Sequence, residues 1–281
     1  MQVSVSGYYR WRIGLLKPPS LKRKKLADLV KNCYWENRRR YGTRRIRAAL
    51  QKAGVEVGRL QIRQLMREQS LKAIQPKSFK PKTTDSIGTK ASPNLLAEIK
   101  VQECAIGKII VGDITYLPLR NGNWCYLALW QDKVTRRIIG WSLAATMTAE
   151  LVISALQKAI RKGRVQAGAI IHSDRGSQYA STVFRLLLQT NCFRQSMSGT
   201  GNCYDNAQAE SFFSRFKTEL LENGVFEDIE QANSEVFSYL EGYYNRVRLH
   251  SGLGYKSPME FELELKTKNG GKIESFYSAF P

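Results

Sequence analysis

The chain has 281 residues and a net charge of +20, from 44 Lys+Arg against 24 Asp+Glu. A surplus of that size excludes a cationic main ligand and points to a polyanion. No apolar run approaches the ~20 residues of a membrane span, and 43% hydrophobic residues suffice for a sizeable core. The charge is local: residues 1–82 hold 22 basic and 4 acidic side chains, residues 83–281 hold 22 and 20. The N-terminal stretch also carries periodic apolar residues, so it reads as a folded basic domain rather than a disordered tail.

Gly7-Tyr8-Tyr9-Arg10-Trp11-Arg12 begins abruptly, without a helix start of its own. A first helix is predicted after Ser20, running to about Asn37 with Leu26, Leu29, Val30 and Cys33 on one face. A second should begin near Thr43, turn Ile46, Ala49 and Leu50 inward and stop at Gly54. After a turn, a third should run through Gln69 with Ile62, Leu65 and Met66 inward. Two short helices around a Gly-bearing turn form a helix-turn-helix pattern. Arg59, Arg63 and Arg67, spaced by four, would share the outer face of the third helix, where contact with DNA phosphate is preferred to a merely solvated face. Residues 75–94, with Pro76, Pro81, Pro93 and several lysines, read as a linker.

Beyond the linker, strands are predicted at Lys108–Leu119, Asn123–Trp130 and Arg137–Leu143, the first two joined by a turn at Asn121-Gly122. A helix capped by Thr148 should run to Lys162, followed by a strand at Ala169–Ser173, a helix from Ser181 through Gln189 and a strand at Phe193–Met197. A Gly-rich loop over residues 198–202 precedes a helix capped by Asp205 or Asn206. Asp228 should cap a long helix to Asn245 with Val236, Leu240, Tyr243 and Tyr244 packing, and Ser257-Pro258 starts a last one. This order makes the chain α/β. Its expected division is 1–74 helical DNA-binding domain, 75–94 linker, 95–265 core and 266–281 tail.

Three acids stand out. Asp113 lies in the first strand, Asp174 directly follows the apolar run Ala169-Ile170-Ile171, and Glu210 falls in the opening turns of the helix after the Gly-rich loop, where the helix dipole favours its charge. Hard divalent cations such as Mg²⁺ take carboxylate oxygens, water and phosphate, and two such ions clamp the attacking and leaving oxygens of a phosphoryl transfer. Three acids gathered without a cation would repel one another. Asp205 is explained by capping, and Asp132 by a turn or an ion pair. Five cysteines without C-x-x-C spacing and only two histidines, His172 and His250, argue against structural zinc, and the odd cysteine count predicts a reducing cytoplasm.

The words Asp113-Ile114-Thr115-Tyr116, His172-Ser173-Asp174-Arg175-Gly176-Ser177-Gln178-Tyr179 and Tyr204-Asp205-Asn206-Ala207 with Glu210-Ser211-Phe212-Phe213 resemble the integrase core of bacterial insertion-sequence transposases, closest to the second-frame protein of the IS3 family. The 35 residues between Asp174 and Glu210 match that family's DD-35-E layout. Tyr41-Gly42-Thr43-Arg44-Arg45-Ile46 resembles the characteristic word of its helix-turn-helix domain. The resemblance implies an RNase H-like mixed five-stranded sheet and metal-dependent DNA strand cleavage and transfer. Asp113, Asp174 and Glu210 would be the catalytic ligands of two Mg²⁺ ions, for which Mn²⁺ can substitute. It also implies DNA contacts through Arg44, Arg45 and Lys217, the last seven residues beyond Glu210 on the same helix face.

The partners it implies are the element's terminal inverted repeats, target DNA, a second copy of the chain or more, and a first-frame helix-turn-helix protein, joined in some cases by frameshifting. The abrupt start at Gly7 suits such a fusion, and a bacterial, nucleoid-associated place in the cytoplasm is expected. Two rival readings are a nuclease that only hydrolyses and a DNA-binding regulator without catalysis. Phe213, Phe216 and Leu220 should be core, His172 should orient loop backbone rather than act as a base, Arg246, Arg248 and His250 should brace the C-terminal helix, and Arg136 and Arg137 should lie on the surface. One departure concerns packing: the family carries Trp three residues before its first catalytic Asp, and here that position is Ile110.

Overall fold

A computed structural model describes residues 4–12, 20–75, 92–96, 99, 104–199, 207–222 and 224–268. The chain divides into two compact units, residues 1–74 and 75–281. Most of the expected linker, residues 200–202 of the Gly-rich loop, the cap at Asp205 or Asn206, and the tail from residue 269 fall outside the described residues.

The first unit holds α1 (Val5–Arg12), α2 (Leu21–Glu36), α3 (Thr43–Lys52) and α4 (Arg59–Glu68). The helix α1 corrects the expectation of no helix start before Gly7, because Ser4 Oγ accepts a hydrogen bond from Gly7 N at 3.1 Å and acts as its cap. In α2, Ser20 caps as predicted, accepting from Arg23 N. Leu29, expected inward, is 41% exposed, because α3 and α4 cover a face centred on Val30, Cys33 and Tyr34. Ile46, Leu50, Ile62, Leu65 and Met66 close that small core. Tyr34 fixes its far end, its hydroxyl donating to Lys72 O at 2.7 Å.

The second unit is built on a five-stranded sheet of order β3-β2-β1-β4-β5. β1 (Ile109–Pro118), β2 (Trp124–Asp132) and β3 (Ile138–Ala144) form an antiparallel meander, while β4 (Ile170–Ser173) and β5 (Arg194–Met197) run parallel to β1. The turn between β1 and β2 needs Gly122, whose φ is +81°. This is the RNase H-like arrangement expected from the sequence. Alternation along the strands separates two buried faces. On one, Ile110, Ala128, Trp130 and Ile171 pack under α5 (Ala149–Arg161), Tyr179 of α6 (Ser177–Ala180), and Phe184 and Leu188 of α7 (Thr182–Thr190). On the other, Leu117, Leu127 and Leu129 pack under Phe212, Phe213 and Phe216 of α8 (Ala207–Leu221) and under Ala232 and Val236 of α9 (Ile229–Phe237).

The missing aromatic at position 110 is made good on the neighbouring strand. Ile110 and Trp130 are both fully buried, and Gly112 pairs with Trp130 in register. A Cβ on Gly112 would run into the Trp130 indole, so the glycine makes room for that ring.

Several local expectations are corrected. Thr148 makes no side-chain cap to α5. Asp228 does cap α9, accepting from Gln231 N at 2.7 Å, but the helix continues as a π-helical turn, Ser238–Tyr244, rather than as α-helix to Asn245. Arg137 is not at the surface: it shares the buried Glu262 carboxylate with Arg164, at 2.6 and 2.8 Å. Glu262 lies on the last helix, α10 (Pro258–Lys268), which opens with Ser257 accepting from Glu260 N while its own N–H donates to Glu260. Ser92, placed in the linker by composition, donates to Gln195 on β5 at 2.8 Å.

Candidate active site

Strand register brings the first two acids together. β1 and β4 run side by side with Val111 opposite His172, so two residues further Asp113 stands level with Asp174, just past the end of β4. Adjacent strands lie about 4.8 Å apart. Each carboxylate is held by a nearby amide: Asp113 Oδ1 accepts from Ile114 N at 2.8 Å, and Asp174 Oδ1 from Gly176 N at 2.9 Å. The segment after β4 is fixed as well, since Arg175 Nε donates to Ser198 O at 2.9 Å.

Glu210 lies in the first turn of α8. That turn is tied to the sheet by a buried relay absent from the sequence reading. Gln208 Nε2 donates to Gln131 Oε1 at 2.9 Å, and Gln131 Nε2 donates to the Tyr244 hydroxyl at 2.9 Å. The other end of α8 is anchored by Glu219, which receives two bonds from Arg248, at 2.7 and 2.9 Å, and one from the Tyr239 hydroxyl at 2.9 Å. Arg248, with His250 against it, therefore braces α8 rather than the C-terminal helix expected from the sequence, and Arg246 is exposed. Phe213 and Phe216 are buried core and Leu220 packs against it.

Electrostatics ties the acids to one another. Burial and the Asp174 carboxylate push the Asp113 carboxyl up to about 8, with Glu210 adding to the rise and the Ile114 amide and Lys217 opposing it. The Asp174 carboxyl is raised too, by burial, with the Gly176 amide opposing. Among the described residues no three His, Cys, Asp or Glu side chains are gathered closely enough to hold one ion. Asp113 thus lies in the field of both other acids without the three forming a closed cage.

Lys217 reaches this edge as its spacing from Glu210 implies. Its ammonium lies 3.9 Å over the Tyr116 ring, burial lowers its pKa, and Asp113 opposes that shift. Beside the acids, the Tyr179 hydroxyl is buried without a hydrogen-bond partner, its ring set against Trp130 and Phe184. His172 is fully buried, with Nδ1 2.9 Å from Ser196 Oγ and Nε2 3.2 Å from Ser198 Oγ. It orients β5 and the start of the following loop. Asp132 ties a turn, accepting from Thr135 N at 2.7 Å and Gly107 N at 2.7 Å.

In the N-terminal unit, Arg59, Arg63 and Arg67 are exposed along α4 and Arg44 is exposed on α3. Arg45 differs: it donates to Arg40 O at 3.2 Å and lies 5.6 Å from the Tyr41 ring centre, bracing the turn before α3. No helix among the described residues is long and apolar enough to cross a membrane.

Residues 21–79 match an HTH-like domain family, and residues 105–203 and 191–258 match integrase core domain families. The transposase of insertion sequence element IS904 from Lactococcus lactis is 38% identical over 86% of this chain and 95% of that protein. Transposase InsF of insertion sequence IS3A from Escherichia coli is 35% identical over 93% of this chain and 91% of that protein. Among solved structures, a simian T-cell lymphotropic virus intasome in complex with the PP2A regulatory subunit B56 gamma is 18% identical, covering 77% of this chain and 70% of that one at a TM-score of 0.47. Identity of this extent over nearly the whole chain, with an HTH-like domain ahead of an integrase core, places the chain in the IS3 family of insertion-sequence transposases.

Proposed function

We propose that this transposase cleaves DNA at the ends of its element and joins them to target DNA by divalent-metal-dependent phosphoryl transfer at Asp113, Asp174 and Glu210. The observation that carries the reading is the crowding of acid on Asp113: register puts Asp174 level with it, and Glu210 adds to the field that raises its pKa. An all-oxygen donor set suits Mg²⁺, or Mn²⁺ in its place. Asp113 would be the carboxylate common to two ions, with Asp174 and Glu210 each completing one. Bound there, the cations would stabilise the charge on the attacking and leaving oxygens of an in-line displacement.

The protein's own part is positioning. The amides of Ile114 and Gly176 fix one oxygen each of Asp113 and Asp174. The Gln208–Gln131–Tyr244 relay and the Glu219–Arg248 pair fix α8, and with it Glu210. His172 does not serve as a base in this scheme, because it is fully buried and both ring nitrogens face serine hydroxyls. Product analysis on DNA carrying the element's ends separates transposition from its rivals: joined strands support it, nicks alone indicate a hydrolase, and binding without turnover in Mg²⁺ indicates a regulator.

The unit over residues 1–74 would bind the terminal repeats, with residues 75–94 as linker, 95–265 as the catalytic core and 266–281 as a tail. Arg44, Arg59, Arg63 and Arg67 would contact phosphate there, and Lys217 the DNA at the core. Arg45 is assigned a supporting role because its guanidinium already braces Arg40 and Tyr41. Each phosphate contact removed should lower the slope of log affinity against log salt by about 0.9. Replacing Arg59, Arg63 and Arg67 together by alanine should therefore flatten the slope by about 2–3 in a salt titration followed by anisotropy. An unchanged slope would mark that face as merely solvated. A dimer or higher assembly on DNA, a first-frame fusion partner and a cytoplasmic, nucleoid-associated location complete the reading.

A further inference from the structure

β4 pairs with β1 only at Ile109–Val111, so beyond Asp113 the β4 side of β1 is left without a strand partner among the described residues. On that outer part of the β1–β2 hairpin, two large aromatic side chains face water. Tyr116 is 55% exposed and Trp124 46% exposed, with ring centres 4.9 Å apart at 90°. Packing of the sheet explains neither, because both buried clusters are built from other residues of these strands. Lys217 comes from α8 to place its ammonium over the Tyr116 ring, and the same lysine lies in the field of Asp113. Tyr116 is three residues along the strand from Asp113, about 10 Å at the usual rise, and by alternation on the opposite face of β1, so it is Lys217 that links the two across the unpaired edge.

Exposed aromatic rings beside a cation form the arrangement that holds single-stranded nucleic acid, with bases stacking on the rings and the cation meeting the phosphate. We propose that Tyr116 and Trp124 form a stacking platform for an unpaired nucleobase at the DNA end, with Lys217 holding that nucleotide's phosphate, so that the strand is drawn out of the duplex beside Asp113. A single strand is favoured over an intact duplex because a base pair buries both π-faces in its own stack. The inference rests on the reading of this edge as the DNA-processing site, yet it concerns binding alone and is measurable without turnover.

The test uses the full chain in EDTA, so that metal-dependent strand cleavage is suppressed. The probe is a duplex oligonucleotide with a three-nucleotide 3′ overhang containing 2-aminopurine, compared with a blunt duplex of the same body. Wild type should bind the overhang in preference and quench the 2-aminopurine fluorescence. The pair Tyr116→Leu and Trp124→Leu should abolish the quench and weaken overhang binding roughly ten- to hundredfold, leaving blunt-duplex binding and Tm close to wild type. Tyr116→Phe and Trp124→Phe together should restore both effects. Three results would overturn the platform: a quench that survives in the leucine pair, no preference for the overhang in wild type, or a fall in Tm with equal loss of both DNAs, which would make the pair hairpin packing. Failure of wild type to bind either DNA would overturn the reading of the site as well, so the two failures are distinguishable.

Discussion

Arg248→Ala is expected to destabilise the core unit by about 3–5 kcal/mol, measured by denaturant unfolding, the range typical of a buried ion pair that loses one partner. Arg248 and Glu219 are 3% and 5% exposed and joined by two hydrogen bonds. Burial acts to strip the guanidinium of its proton, but the hydrogen bonds and charge of Glu219 outweigh it and hold Arg248 firmly protonated. Without Arg248, the Glu219 carboxylate keeps the Tyr239 hydroxyl but loses the charge that compensates it. Two well-packed apolar residues cost much less than one orphaned charge, so Arg248→Met with Glu219→Leu should recover most of the loss. Because Glu219 and Glu210 lie on the same helix, the single variant should also lose activity before it unfolds globally. A single variant with wild-type stability would show that the pair is not a structural anchor.

Asp113→Asn should have two opposite effects. Its folded-state pKa of about 8 lies well above the ordinary 3.8. Between those values the folded protein holds a proton that the unfolded chain has released, so stability falls as pH rises across the window. At pH 9 without divalent metal, the carboxylate is ionised in both states and the folded state bears the whole penalty. Removing it with asparagine should raise stability by about 1–3 kcal/mol, less than the full shift at ~1.36 kcal/mol per unit, because the side chain is only half-buried and solvent screens it. At pH 5 the gain should shrink. Added Mg²⁺ should reverse the order by stabilising wild type alone. Strand joining by the variant should drop about a hundred- to thousandfold, the several kcal/mol that metal stabilisation of the transition state supplies. A variant no more stable than wild type at pH 9 would mean that the three acids do not strain the metal-free fold.

Much of this architecture is legible in the sequence because its signals are local. Ser20 and Asp228 cap within three residues of themselves, Ser257-Pro258 opens α10, and Asn121-Gly122 sets the β1–β2 turn. The acids are legible for a similar reason, since Asp113 lies within a strand, Asp174 follows one and Glu210 sits in the first turn of a helix, each with a recognisable flank. What stayed hidden depends on partners far along the chain. Gln131 reads as an ordinary polar residue just past the predicted end of a strand, yet it lies within β2 and links Gln208 and Tyr244. Arg137 reads as a surface cation until Glu262, 125 residues away, is seen to meet it. Leu29 followed the helical period but faces outward, because periodicity gives a stripe and not the width that neighbouring helices cover. The π-helical turn at Ser238–Tyr244 has no compositional mark that separates it from α-helix.

The central claim is that Asp113, Asp174 and Glu210 act together on DNA, and strand joining tests it most directly. Labelled DNA carrying the element's own ends is incubated with Mg²⁺ and either wild type or Glu210→Gln, a change that keeps size and polarity at an exposed position in the first turn of α8. Wild type should join strands, and the variant should bind the same ends without joining them. Joining by Glu210→Gln at the wild-type rate would contradict the assignment of the three acids.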